Sequence, residues 1–324
     1  MTGVGSYLPI NKCSNEHLSN FVDTSDEWIS KRSGIKNRHF VTDNEKTSDM
    51  SFFAANKAIE NAEISKKDID LIVLATTTPD NTFPSTATLV QKKLEINAVS
   101  FDIQAVCAGF VFALSVAKSM MTEGNYKNCL VIGADSMSKL LDWNDRSTSV
   151  LFGDGAGAVI LQKFENTECK YDDWGILSNV IHSDGQFYDL LKTNGGVSTN
   201  QKVGFIEMEG KEVFKHAVDK LSSSLEEALI ASNKNIDELD YLVPHQANQR
   251  IILALADRMK IDLSKVVSTV KDHGNTSAAS IPLALENAIN SNKILNGNLI
   301  GIQAIGGGLS WGASIIRIGK PKNL

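Results

Sequence analysis

Short, almost wholly apolar runs alternate along this chain with longer stretches whose apolar residues recur at helical spacing. Residues 71–76, 99–103, 129–133 and 158–161 read as buried strands in the first half. Residues 241–243, 266–270, 299–302 and 314–318 repeat the type in the second. Helical periodicity covers 52–62, 110–121, 212–232, 248–259 and 277–290. Apolar strands alternating with amphipathic helices predict a layered α/β protein whose sheets are covered by helices.

The two halves echo each other. Asp70-Leu71-Ile72-Val73 has a counterpart in Asp240-Tyr241-Leu242-Val243, each after a helix and a short polar turn. Gly157-Ala158-Val159-Ile160-Leu161 resembles Gly312-Ala313-Ser314-Ile315-Ile316, each closing its half after a glycine-rich turn. A duplicated unit is the reading, with a boundary near residues 165–170; chance similarity among apolar strands is the competing one.

Bulk properties narrow the class. The chain has 324 residues, 42% of them hydrophobic and 22% charged, as in ordinary globular proteins of two domains or one large layered unit. No apolar run approaches the ~20 residues that span a bilayer, and the first residues carry no basic and apolar leader pattern. The four cysteines, Cys13, Cys107, Cys129 and Cys169, show no metal spacing and suit free thiols in a reducing cytoplasm. A net charge of -6 argues against nucleic acid as the main partner but leaves room for a local basic patch facing an acidic protein.

Three segments carry chemistry. Cys107, in Ala105-Val106-Cys107-Ala108-Gly109-Phe110, falls between a strand and an apolar helix, where helix N–H groups and dipole favour a thiolate. A small buried core cysteine is the ordinary alternative. His245, in Pro244-His245-Gln246-Ala247-Asn248, follows a strand at its carboxyl end, where α/β proteins place chemistry. Asn275, in Gly274-Asn275-Thr276-Ser277, is read between strand 266–270 and helix 277–290; turn and cap chemistry explains it equally well. Gly153-Asp154-Gly155-Ala156-Gly157 is no dinucleotide fingerprint, since a strand follows it. Gly306-Gly307-Gly308 follows a buried strand and can offer a backbone N–H to an oxyanion, or simply make a tight turn.

Taken together, these residues resemble the β-ketoacyl-acyl-carrier-protein synthase III family, the initiating condensing enzymes of type II fatty acid synthesis. Gly3-Val4-Gly5-Ser6-Tyr7-Leu8-Pro9, Val22-Asp23-Thr24-Ser25-Asp26-Glu27-Trp28-Ile29 and Arg32-Ser33-Gly34-Ile35 are similar to the family's opening. The Cys, His and Asn segments match in order and type. So do Phe152-Gly153-Asp154-Gly155-Ala156-Gly157-Ala158 and Gly306-Gly307-Gly308-Leu309-Ser310-Trp311-Gly312.

The resemblance implies a thiolase-like α/β fold, layered α-β-α-β-α, with similar halves at 1–167 and 168–324, working as a homodimer. It implies that Cys107 takes the acyl group, while His245 and Asn275 assist decarboxylation of malonyl-acyl carrier protein and stabilise the enolate. The N–H groups of Cys107 and Gly307 would form the oxyanion hole. Trp28, Arg32 and Arg146 would hold the adenine end of CoA, with Asn248 and Phe214 lining the pantetheine path. Lys215, Gln246, Ala247, Gln249, Arg250 and Arg258 would face the acyl carrier protein. No metal or cofactor is implied; acyl-CoA, with acetyl-CoA the first choice, and malonyl-acyl carrier protein are substrates. Neither nucleic acid nor membrane is an implied partner.

Three departures stand out. Asp257 falls where related enzymes often carry a positive charge, Ile305 where the pattern commonly has Phe, and little chain precedes Gly3 to form a first strand. Two other activities stay open: a condensing enzyme of a secondary pathway with another primer or acceptor, and a hydrolase using the same Cys–His pair. A non-catalytic homologue that binds carrier protein or CoA is the reading from a different class.

Overall fold

The computed structural model describes residues 1–164 and 173–320. The first sheet holds β1 (Gly3–Tyr7), β2 (Leu71–Ala75), β3 (Val99–Ile103), β4 (Asn128–Ser136) and β5 (Asp154–Gln162). The second holds β6 (Gly175–Ser183), β7 (Tyr241–Pro244), β8 (Leu299–Gly306) and β9 (Ser310–Arg317). The helices used below are α1 (Asp26–Ser33), α2 (Thr47–Ala62), α3 (Thr86–Leu94), α4 (Gly109–Glu123), α5 (Gly210–Ala231), α6 (Gln249–Met259) and α7 (Ser280–Asn290). Shorter elements are given by their residues.

The strand orders are β1-β5-β4-β2-β3 and β7-β8-β9-β6. Each sheet runs parallel at one end, with β2 beside β3 and β4 in the first and β7 beside β8 in the second. Each turns antiparallel at the other end, through β4-β5-β1 and β8-β9-β6. The counterpart of β3 is a single parallel bridge, Leu242 to Val266. The strand predicted over 266–270 is therefore absent; the chain leaves β7 after that bridge and forms the short helix Val270–His273. The strand pair singled out at Asp70 and Asp240 shares one device. Asp70 accepts the N–H groups of Lys127 and Asn128, and Asp240 accepts that of Leu299, each pinning the start of the neighbouring strand. The boundary predicted at 165–170, and Cys169, lie outside the described residues.

Three apolar clusters stack the layers. One packs α2 and α3 on the outside of the first sheet, through Ala54, Ala58, Val90, Ile72 and Ile132. The next lies between the sheets, where α4 and α7 bring Phe110, Leu114, Ile281 and Leu285 against Val73, Val131, Ile300 and Ile302. The third packs α5 and α6 on the outside of the second sheet, through Leu221, Leu225, Leu255 and Ile315. The order is α-β-α-β-α. Strands covered on both faces need no polar alternation, and all eight residues of β8 and all five of β2 are buried.

One expectation on apolar length changes. Residues Val106–Glu123 form a stretch with mean hydropathy 1.3, long and apolar enough to cross a bilayer. Its place between two sheets accounts for that composition, since Phe110, Val111, Ala113, Leu114 and Ala117 are all fully buried in the middle layer. The first strand, β1, is five residues long and pairs antiparallel with β5.

Candidate active site

Cys107 sits in a single 3₁₀ turn, Val106–Ala108, that joins β3 to the start of α4. Val106 opens the turn at φ +49°, a left-handed conformation that β-branched residues avoid. Strain of this kind costs about 1–3 kcal/mol and gathers where function fixes the backbone. The end of β8 explains the triple glycine. A Cβ on Gly306 would lie 2.7 Å from the Cys107 nitrogen and 2.8 Å from the Ala105 carbonyl oxygen. One on Gly307 would lie 2.6 Å from the Leu191 carbonyl oxygen. The chain can pass behind the cysteine only without side chains.

Burial governs the thiol. The Cys107 pKa is pushed up to about 12, first by burial and then by the negative charge of Asp135, while Ser277 and the residue's own N–H pull it back. The helix start is where the sequence placed it, but the expected thiolate is not favoured at rest, because a dry site penalises the charged form.

His245 follows β7 directly, and its N–H donates to the Gln303 carbonyl at 2.8 Å. Its Nδ1 lies 2.6 Å from the hydroxyl of Ser280, the first residue of α7. With that hydroxyl donating, the ring proton sits on Nε2. Burial lowers the imidazole pKa to about 4, so the ring is neutral at ordinary pH. Asn275 is placed by the first half of the chain rather than by a strand of its own. Its N–H donates to Leu151 at 2.9 Å and its carbonyl accepts from Gly153 at 3.0 Å. Its Oδ1 accepts the Ser277 N–H at 2.9 Å, which leaves the amide nitrogen as the donor end of the side chain. One segment, 275–280, thus ties Asn275, His245 and the Cys107 turn together.

A cavity of about 290 Å³ opens at Cys107. Its walls are largely apolar, with Val106, Met137, Leu140, Phe152, Leu191 and Ile206, and Gly307 lines it as well. A buried thiol, a neutral imidazole, an amide donor and a glycine turn can together carry an acyl group and stabilise negative charge on a carbonyl oxygen.

The family model for 3-oxoacyl-[acyl-carrier-protein] synthase III matches residues 101–185, and the model for its C-terminal part matches 229–318. A β-ketoacyl-[acyl-carrier-protein] synthase III of Ehrlichia canis is 53% identical over 317 residues, 98% of each chain. This chain belongs to that family. The synthase III of Rhodospirillum centenum is 51% identical over 97% of each chain. The crystal structure of the Aquifex aeolicus synthase III superposes with TM-score 0.90 at 44% identity, covering 98% of both. The priming β-ketosynthase of the R1128 polyketide pathway reaches 0.91 at 34% identity, covering 98% of this chain and 96% of that one. The fold is thiolase-like, and the chain is a condensing acyltransferase of the synthase III type.

The other residues predicted from the family pattern divide into two groups. Trp28, Arg32 and Arg146 meet: the Arg32 guanidinium carbon lies 4.2 Å and that of Arg146 5.2 Å from the indole centroid. Asn248 joins them, donating to the Arg32 carbonyl at 3.2 Å while it caps α6 by accepting from the Arg250 N–H. Arg250 lies 5.7 Å from the Phe214 ring. Gln246, by contrast, faces no partner. It is 1% exposed, donates to the Pro244 and Val267 carbonyls and accepts from Thr269 and Val270, so it is an internal brace. Lys215, Arg250 and Arg258 are exposed, while Ala247 and Gln249 are half-buried. Arg258 is paired with Asp219 at 2.8 Å. Ile305 does not line the Cys107 cavity; it is buried in the outer cluster under α5.

Sequence reasoning passed over Asp135, Ser277 and Ser280. Asp135 carried a signal, a carboxylate next to the last residue of a buried, mostly apolar strand. Ser277 and Ser280 looked like ordinary turn and cap residues.

Proposed function

We propose that this enzyme joins an acyl-CoA to malonyl-acyl carrier protein by decarboxylative Claisen condensation, giving a 3-oxoacyl-acyl carrier protein, CO2 and CoA, and so initiates fatty acid synthesis. The observation that carries this is that the segment 275–280, which holds Asn275 and bonds His245, packs against the turn of Cys107, which opens with Gly307 on one cavity. Cys107 takes the acyl group as a thioester. The N–H groups of Cys107 and Gly307 hold the tetrahedral oxyanion. His245, neutral with its proton on Nε2, and the Asn275 amide donate to the enolate oxygen left by decarboxylation, without a buried charge. Trp28, Arg32, Arg146 and Asn248 hold CoA, with Phe214 along its path. Lys215, Arg250 and Arg258, with Ala247 and Gln249, meet the acidic carrier protein. The enzyme acts as a cytoplasmic homodimer, with no cofactor. Acetyl-CoA is the primer we assign first.

Incubation with acetyl-CoA is expected to add one acyl group by intact mass, and Cys107→Ala to abolish the adduct. Malonyl-carrier protein should then yield the 3-oxo product. Release of free acid alone would make the enzyme a hydrolase. The likeness to a polyketide priming ketosynthase supports a second reading, a secondary-pathway enzyme. A panel of acyl-CoA primers decides: turnover of long or unusual acyl groups without acetyl-CoA would favour that reading.

A further inference from the structure

The two proposed enolate donors stand on different supports. His245 is held by Gln303 of β8 and by Ser280 of α7. Asn275 hangs instead on Leu151–Gly153, the strip that leads into β5. It donates to the Leu151 carbonyl at 2.9 Å and accepts from the Gly153 N–H at 3.0 Å, a parallel bridge centred on Phe152. Both bonds are therefore made by the two peptide groups that flank Phe152. That residue is 2% exposed and packs with Met137, Leu140, Leu141 and Ile206. It also lines the cavity that opens at Cys107. One residue is thus part of the acyl wall and, through its own backbone, the holder of the amide donor. The strip is backed by the chain that carries Asn275. A Cβ on Gly153 would lie 2.7 Å from the His273 carbonyl oxygen, and one on Gly274 3.1 Å from the Leu151 carbonyl oxygen. Arg38, fully buried, fixes the start of the strip, donating to the Val150 carbonyl at 2.8 Å and to Asn15 at 2.7 Å. A close-packed interior transmits a push rather than absorbing it, so a push on Phe152 reaches residues 273–275.

We propose that Phe152 is a specificity-determining residue that reads the acyl group a second time, at the condensation step, by setting the position of Asn275. The proposal rests on the reading of Cys107 as the acyl acceptor and Asn275 as an enolate donor. A small acyl group on Cys107 leaves the Phe152 ring at rest and Asn275 in place. A larger one presses the ring, and the peptide groups of Phe152 carry Asn275 away from the enolate oxygen. His245, on β8 and α7, stays where it is, so one of the two donors is lost. Loading and extension then differ in selectivity: an oversized primer is accepted as a thioester but extended slowly.

The two steps can be timed separately with acetyl-, butanoyl- and hexanoyl-CoA. Loading is followed by intact mass, and malonyl-acyl carrier protein is then added for a single turnover to the 3-oxo product. In the wild type, extension is expected to fall about tenfold or more from acetyl to the longest primer that loads, and to fall more steeply than loading does. Phe152→Leu gives the acyl group room and should remove most of that fall in extension. Asn275→Ala should extend every primer slowly but at similar rates, because the donor that the primer displaces is already gone. A fall that survives in Asn275→Ala would place the effect on the reacting carbonyl itself and overturn the coupling. So would an unchanged fall in Phe152→Leu, an extension rate indifferent to primer size, or a wild type that loads acetyl alone. If Phe152→Leu does not fold, the wild type against Asn275→Ala decides. Failure of the condensation reading looks different: no primer gives a 3-oxo product, whereas failure of the coupling leaves the product and changes only its dependence on primer size.

Discussion

Gly306 is the residue on which the geometry of the nucleophile leans most directly. Gly306→Ala would set a methyl group 2.7 Å from the Cys107 nitrogen and 3.0 Å from that of Ala108. The turn has to move, and a shift of roughly 1 Å at a reacting group costs about a hundredfold in rate. We expect acylation, followed by intact mass, to slow by that order with the acyl-CoA still bound. An unchanged rate would show that the turn has slack. The glycine was legible in the sequence as a tight turn, but its reason was not. Nothing in Gly306-Gly307-Gly308 says that the chain passing behind it, two hundred residues earlier, carries the cysteine. Cys107 itself was legible by position, after a strand and before an apolar helix. Its protonation was not, because burial is a property of the two sheets around it.

At the scale of elements, α6 joins two parts of the site through its cap. Asn248 accepts the Arg250 N–H with one end of its amide and donates to the Arg32 carbonyl with the other. Asn248→Ala should lose about 1 kcal/mol of stability, the usual worth of a cap, and raise KM for acyl-CoA more than it lowers kcat. Asn248→Asp keeps the cap and places an anion at the helix start, so stability should hold while the higher KM remains. Equal KM values for wild type and both variants would detach Asn248 from the CoA path. The periodic pattern placed α6 correctly, and seven of the eight predicted strands form. The exception, 266–270, is instructive: its β-branched residues meet one bridge and then a helix, because Gln246 captures the Thr269 and Val270 N–H groups that a ladder would have used. The same buried amide is why Gln246, polar and beside the histidine, is no surface residue.

For the whole molecule, acid should act through buried histidines. Burial holds His245 and His273 down at about 4, against about 6.5 for the unfolded chain. Their contribution to stability is complete above pH ~6.5 and is lost as pH falls towards 4, since only the unfolded chain binds those protons. Asp154 opposes this: its carboxyl is raised to about 6, mainly by burial, so the native state takes its proton first. His273→Gln should therefore lose less stability than the wild type between pH 7 and pH 5, by on the order of 1–2 kcal/mol in denaturant midpoints. A parallel loss in both proteins would remove His273 from the account. The duplication read from Asp70 and Asp240 has a last consequence. The turns Val106–Ala108 and Ser277–Ala279 are twins, each opened by a left-handed residue and each leading into a middle-layer helix. Only one carries a thiol; its twin has Ala278 in that place. The Ala278 N–H is filled permanently by a carboxylate oxygen of Asp135, the kind of anion that the Cys107 N–H is proposed to meet only in passing. The idle turn thus holds an anion at the N–H position that the working turn leaves open.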